Sequence, residues 1–139
     1  MSGLAAVLAG RVAGNLHQWH GNFEVADVAN AVEHAGWAFA HVDGWRATTK
    51  PEVLAAFGDA LAFPEWYGAN FDALNDCLSD LTVDTLLLWD GWGTLARGDE
   101  HAFTVMLDLL AEPTRGAGRF VVLLRGDGPE LPGSVTSLD

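Results

Sequence analysis

Cysteine is nearly absent from this chain. Cys77 stands alone in 139 residues, so no internal disulfide can form and the fold does not depend on oxidation. Basic side chains are also scarce. Seven Lys and Arg face nineteen Asp and Glu, a formal net charge of -12. A field of that sign repels nucleic acid and anionic membrane and attracts basic partners. Long apolar runs are missing too, and no segment approaches the roughly 18–20 residues needed to span a bilayer. The short run Leu4–Ala9 precedes its nearest positive charge, Arg11. That is the reverse of a secretory leader, and the expected location is the cytoplasm. Gly91-Trp92-Gly93 and Gly116-Ala117-Gly118 lack a phosphate-loop lysine and the dinucleotide spacing, and read as turns. His17 and His20 lie three apart with no further ligands in evident range, so no metal site and no cofactor are expected. Internal repeats and low-complexity tracts are absent.

Half of the residues are hydrophobic, and the length suits one domain with one core. Val25, Val28 and Val32 repeat at helical spacing between Asn22, an expected N-cap, and Gly36, an expected stop. Trp37–Val42 is apolar and closes on Asp43-Gly44, which predicts a strand. Thr49-Lys50-Pro51-Glu52 has the form of a capping box before a helix ended by Pro64. Leu86–Trp89 and Phe120–Leu124 are continuous apolar runs, as in strands buried on both faces. Phe103, Met106, Leu107 and Leu110 mark a helix ended by Pro113. Strands separated by helices indicate an α/β domain with a small, mostly parallel sheet of three strands flanked by helices. Residues 1–36 are expected as a helical extension packed on the same domain, with Leu4–Ala9 read as a helix start and Leu16–His20 as a short extended segment. Residues 126–139, rich in Gly, Pro and Ser, are expected as a mobile tail.

The acidic residues are concentrated. Ten acids and a single base, Arg97, lie between Asp59 and Asp108. Within that stretch, residues 70–81 read as a helix. Phe71, Leu74, Leu78 and Leu81 form its apolar stripe, with Cys77 alongside. Asp72, Asp76 and Asp80 form a second stripe at i, i+4 and i+8, where like charges repel by about 0.2–0.5 kcal/mol per pair. Asp72 lies near the helix N-terminus, which favours an anion, and Asp80 lies at the other end, which does not. Such a stripe reads as a surface that expects a cation. Carboxylates at this spacing also occur in metal sites and in glycoside hydrolysis, but no further ligand and no cleft is legible.

The block Pro64-Glu65-Trp66-Tyr67-Gly68-Ala69-Asn70-Phe71-Asp72-Ala73-Leu74, followed by Asp76-Cys77-Leu78, closely resembles the central segment of the barstar family. These are small intracellular inhibitors of secreted bacterial ribonucleases. Element order extends the resemblance over residues 37–125. It implies an inhibitor, not an enzyme, that occludes a basic ribonuclease active site with its acidic helix and the preceding loop. Asp76 falls on the family's dominant aspartate, a stand-in for the substrate phosphate, and Asp72 on a second acidic contact. Trp66 takes the place of a contacting aromatic that is usually tyrosine, while Tyr67, Gly68 and Asn70 match the loop that presents the helix. Asn75 replaces a tryptophan of the type member. A further acidic contact would fall on Asp108 or, with a shifted alignment, on Glu112. The implied partner is a basic ribonuclease of extracellular type, with no nucleic acid or membrane partner and a monomer as the favoured state. Two other functions stay open. One is an immunity module for a different basic toxin or protein, and the other is a small hydrolase using Asp72 and Asp76.

Overall fold

A computed structural model describes residues 2–112 and 116–138. In chain order it contains α1 (Ser2–Leu8), β1 (Leu16–Gln18), α2 (Val25–His34), β2 (Ala38–Asp43), α3 (Lys50–Ala60) and α4 (Phe71–Ser79). There follow β3 (Thr85–Asp90), α5 (Gly93–Gly98), α6 (Glu100–Ala111), β4 (Phe120–Arg125) and β5 (Thr136–Ser137). Pro113, expected to end α6, lies outside the described residues. Among the described residues no helix is long and apolar enough to cross a membrane.

The α/β class is as expected, but the sheet has five strands rather than three. Its order is β2-β3-β4-β1-β5, and every pairing is parallel. The two added strands come from the chain's outer segments. β1 sets Leu16 opposite Val122, and the Trp19 amide extends the ladder to the Leu124 carbonyl at 2.9 Å. β5 sets Thr136 opposite His17, and the Leu138 amide reaches the Gln18 carbonyl at 2.7 Å. The first 36 residues are therefore more than a helical elaboration, since β1 fills a place inside the sheet. The stretch after Gly126, expected as a loose tail, returns to the sheet, and Leu131 and Val135 pack on the core.

Alternation along the central strands explains their unbroken apolar runs. Leu87, Trp89, Val122 and Leu124 face one layer, with Phe57, Leu74, Leu95, Phe103 and Leu110 from α3 to α6. Leu86, Leu88, Val121 and Leu123 face the other, with Leu4 and Val7 of α1 and Val28 and Val32 of α2. Each such side chain removed from water contributes about 1.5–3 kcal/mol, and both faces need covering because neither carries polar residues.

Local signals operate as the sequence indicates at most boundaries. Thr49 and Glu52 form the reciprocal capping box at the start of α3. Gly36 follows α2 at φ +87°, the left-handed region that glycine enters without strain. One cap differs: α2 begins after Glu24 with no side-chain cap, rather than at Asn22. The segment before it is held elsewhere. Phe23 stacks on Trp19 at 6.0 Å, and the carbonyls of Gly21 and Phe23 accept from Arg125.

Candidate functional site

The acidic helix is α4, and the loop before it is a braced structure. Asn70 caps α4, its side-chain oxygen accepting from the Ala73 amide at 2.8 Å. The Tyr67 hydroxyl donates to the Leu54 carbonyl of α3 at 2.8 Å, and its ring meets Phe63 edge-on at 4.9 Å. Burial, helped by the Cys77 sulfur, pushes that hydroxyl up to about 12, so it remains a donor. Ala62 (φ 54°) and Ala69 (φ 50°) both sit in the left-handed region, at a cost of about 1–2 kcal/mol each. Strained residues thus bracket the loop, a pattern common at binding sites. Gly68 leaves room for the cap: a Cβ there would lie 2.9 Å from Asn70 Nδ2.

The loop turns the two aromatics in opposite directions. Tyr67 is packed, whereas Trp66 is 61 % exposed. On α4, Leu74, Cys77 and Leu78 are buried, and Phe71 and Leu81 are half-buried at the margin rather than in the core. Lys50 Nζ sits 4.4 Å from the Phe71 ring centroid. Asp72, Asp76 and Asp80 are all exposed. Asp80 is the C-cap of the helix, the end where a carboxylate is disfavoured. Asn75 lies half-buried between Asp72 and Asp76, its carbonyl accepting from Ser79 at 2.8 Å. Among the described residues no ion pair engages Asp72 or Asp76.

The two alternatives for a further acidic contact separate in space. Glu112 joins Phe71, Asp72 and Asn75 around a groove of about 490 Å³ between α4 and α6. Asp108 faces a different groove, of about 690 Å³, between α6 and the segment Pro129–Ser134. Cys77 is buried, and burial together with the charges of Asp80 and Asp76 raises its thiol. Among the described residues no group of three or more His, Cys, Asp and Glu is placed to hold a metal ion.

A second polar cluster was not foreseen from the sequence. Asp43, Asp90 and Arg125 are the last residues of β2, β3 and β4, and they lie side by side in register. Arg125 grips Asp90 with Nε at 2.6 Å and Nη2 at 3.0 Å, and His41 Nε2 adds a third contact at 2.8 Å. Burial acts to raise the Asp90 carboxyl, but the hydrogen bonds from His41 and Arg125 and their charges outweigh it and hold it below its usual range. One signal was available: each of three apolar runs ends on a charged residue.

Residues 37–125 match the family model described as Barstar (barnase inhibitor). No curated protein matches the chain. Among solved structures, the ORC2 protein of Aeropyrum pernix, in ADPNP-ADP complexes, is similar at 18% identity and a TM-score of 0.60. The match covers 91% of this chain and 39% of that one. CDC6P from Pyrobaculum aerophilum is similar at 15% identity and a TM-score of 0.48, over 89% of this chain and 37% of that one. The first likeness concerns the fold alone, and this chain spans well under half of either protein. The family model covers most of the chain, including both strained alanines, the capped α4 and its exposed aspartates: the chain belongs to the barstar family and is barnase-inhibitor-like.

Proposed function

We propose that this protein inhibits a basic ribonuclease of the secreted type by covering its active site with α4 and the loop 64–70. The carrying observation is a pair of exposed carboxylates, Asp72 and Asp76, that no described cation neutralises, on a helix whose leading loop is braced in advance. Asp76 would meet the arginine and histidine side chains that otherwise hold the RNA phosphate. Bidentate, charge-assisted contacts of that kind are strong and geometrically specific. Asp72 would supply a second contact, and Trp66 would lie against the partner's surface. Tyr67, Gly68 and Asn70 hold the loop and cap, and Asn75 would touch the partner from between the two aspartates. Glu112 fits the additional acidic role better than Asp108, because it shares the groove of Asp72 and Asn75. The protein performs no chemistry itself. It would act as a monomer within the cell that makes the ribonuclease, and the net charge of -12 would draw in the basic enzyme at low ionic strength.

The test is capture and inhibition against a panel of small basic ribonucleases. The wild-type chain should bind at least one and stop RNA cleavage. Asp76→Ala should weaken binding by at least about tenfold, since hydrogen bonds to a charged group contribute about 1.5–3 kcal/mol, and Asp80→Ala should do far less. Equal small effects at the two positions would refute the assignment. Binding to a basic toxin of another chemistry, with Asp76 still dominant, would keep the surface and change the partner.

A further inference from the structure

A cleft of about 530 Å³ opens beyond the carboxyl ends of β1 to β4, lined among others by Phe23, His41, Asp43, Trp45 and Asp127. Its lining includes no residue of α4 or of the loop 64–70. In open parallel sheets ligands settle beyond the strands' carboxyl ends, where the strand order reverses. Here the order reverses between β4 and β1, and residues following both strands line the cleft.

The Trp45 ring lies against bare backbone. A Cβ on Gly91 would stand 2.8 Å from Trp45 Cδ2, and one on Gly126 would stand 3.6 Å from Cζ2. Both glycines hold positive φ, +66° and +112°, so the platform needs glycine for conformation as well as for space. The Trp45 amide is fixed by Asp43 Oδ1 at 2.9 Å. Although seated in this way, Trp45 remains 60 % exposed. It presents a π face to the solvent beside the cleft.

Three aspartates, Asp43, Asp90 and Asp127, line the cleft. Asp43 and Asp127 stand at its rim, and Arg125 is the single lysine or arginine among its lining residues. The Arg125 donors are committed to Asp90 and to the carbonyls of Gly21 and Phe23. The contact between Arg46 and Asp43 is long, 3.8 Å, and its arginine is 91 % exposed, so Asp43 is open to a better partner. An anion is poorly served. The β1–α2 turn has the position of a phosphate loop but no lysine, and Glu24 and Asp27 place carboxylates at the start of α2.

A fixed indole face next to an available carboxylate suits a planar cation. We infer that this cleft is a second binding site, one that takes the guanidinium of an arginine side chain in a peptide segment, stacked on Trp45 and paired with Asp43. The site does not depend on which protein α4 binds. Free arginine carries the same group, and titration separates the two sources. The ¹⁵N-labelled full chain is titrated with N-acetylarginine amide, free arginine, N-acetyllysine amide and N-acetylnorleucine amide. Saturable shifts are expected at the Trp45 indole and at the amides of Asp43, Gly91 and Gly126. The blocked arginine should bind more tightly than the other three. Trp45→Ala and Asp43→Asn should each weaken it by about tenfold or more. Asp59→Asn, which removes an exposed charge from α3, should leave it unchanged. Tighter binding of free arginine would overturn the peptide source. Shifts that fail to saturate, or that centre on α4, would overturn the site.

Discussion

Replacing Gly58 by alanine sets two effects against each other. In a helix interior alanine is favoured over glycine by about 1 kcal/mol, so the change would ordinarily stabilise α3. Gly58 is buried, however, and a Cβ there would stand 2.5 Å from Tyr67 Cε2 and 2.7 Å from Cδ2. The ring has little freedom to step aside, because its hydroxyl is tied to the Leu54 carbonyl and Phe63 lies against it. Overpacking of this kind costs about 1–3 kcal/mol. The net expectation is a loss of about 1 kcal/mol, or about 3–5 °C in Tm for a chain of this length. Thermal denaturation followed by far-UV circular dichroism measures it. The Tyr67→Ala background completes the cycle: with the ring gone, Gly58→Ala should raise Tm. An increase in the wild-type background would refute the claim that Tyr67 is seated on α3. Because Tyr67 braces the loop that carries Trp66, Gly58→Ala should also weaken partner binding without touching the interface.

Arg125→Met leaves Asp90 with His41 alone and removes the donor to two carbonyls; urea unfolding should show a loss of about 3 kcal/mol. Asp90→Leu combined with Arg125→Met should recover part of it, and a loss below about 1 kcal/mol in the single variant would mark the pair as solvent-screened. His17 is buried and shares a 2.5 Å hydrogen bond with Thr136 Oγ1. Burial, partly opposed by the hydrogen bond to the Gly14 carbonyl, lowers its pKa from 6.5. Its contribution is therefore complete above pH 6.5 and falls as pH drops through and below that value, because the unfolded chain binds the proton first. Unfolding midpoints at pH 7.5 and 5.5 should show a drop that shrinks in His17→Gln; an equal drop in both proteins would exclude His17 as its source. Glu112→Gln should slow association with the basic partner, measured by stopped flow, more than Asp108→Asn does, and the opposite order would return the role to Asp108.

Long elements with strong local signals were legible in the sequence. The apolar stripe of α4, the capping box of α3 and the buried runs of β3 and β4 each carry enough residues to establish a period. β1 and β5 do not. At three residues and two residues, neither is long enough for alternation to register, and what makes them strands is pairing across the chain. Leu16 meets Val122, and His17 meets both Leu123 and Thr136. Those contacts are properties of the assembled sheet, so the strand count came out two short. The candidate site divided along the same line. Asp72, Asp76, Trp66 and Tyr67 lie in one contiguous block and could be read together. Grouping Glu112 with Asp72 required the packing of α6 against α4. The cleft beyond the sheet required four strand ends from across the chain.

Residues 37–125, the part that matches the family, end on β4. Taken alone, that segment stops the sheet at a strand whose residues from Phe120 to Leu124 are all buried. Its outer row of N–H and C=O groups would then meet water beside an apolar surface, an open template for pairing with another molecule. In the whole chain β1 occupies that edge, and β5 closes over β1 in turn with two exposed, hydroxyl-bearing residues. On this reasoning a three-residue strand would keep that edge from pairing with a second copy. A chain trimmed to 37–125 should show growing light scattering at concentrations where the full chain stays clear, and equal clarity would show that the edge needs no such cover.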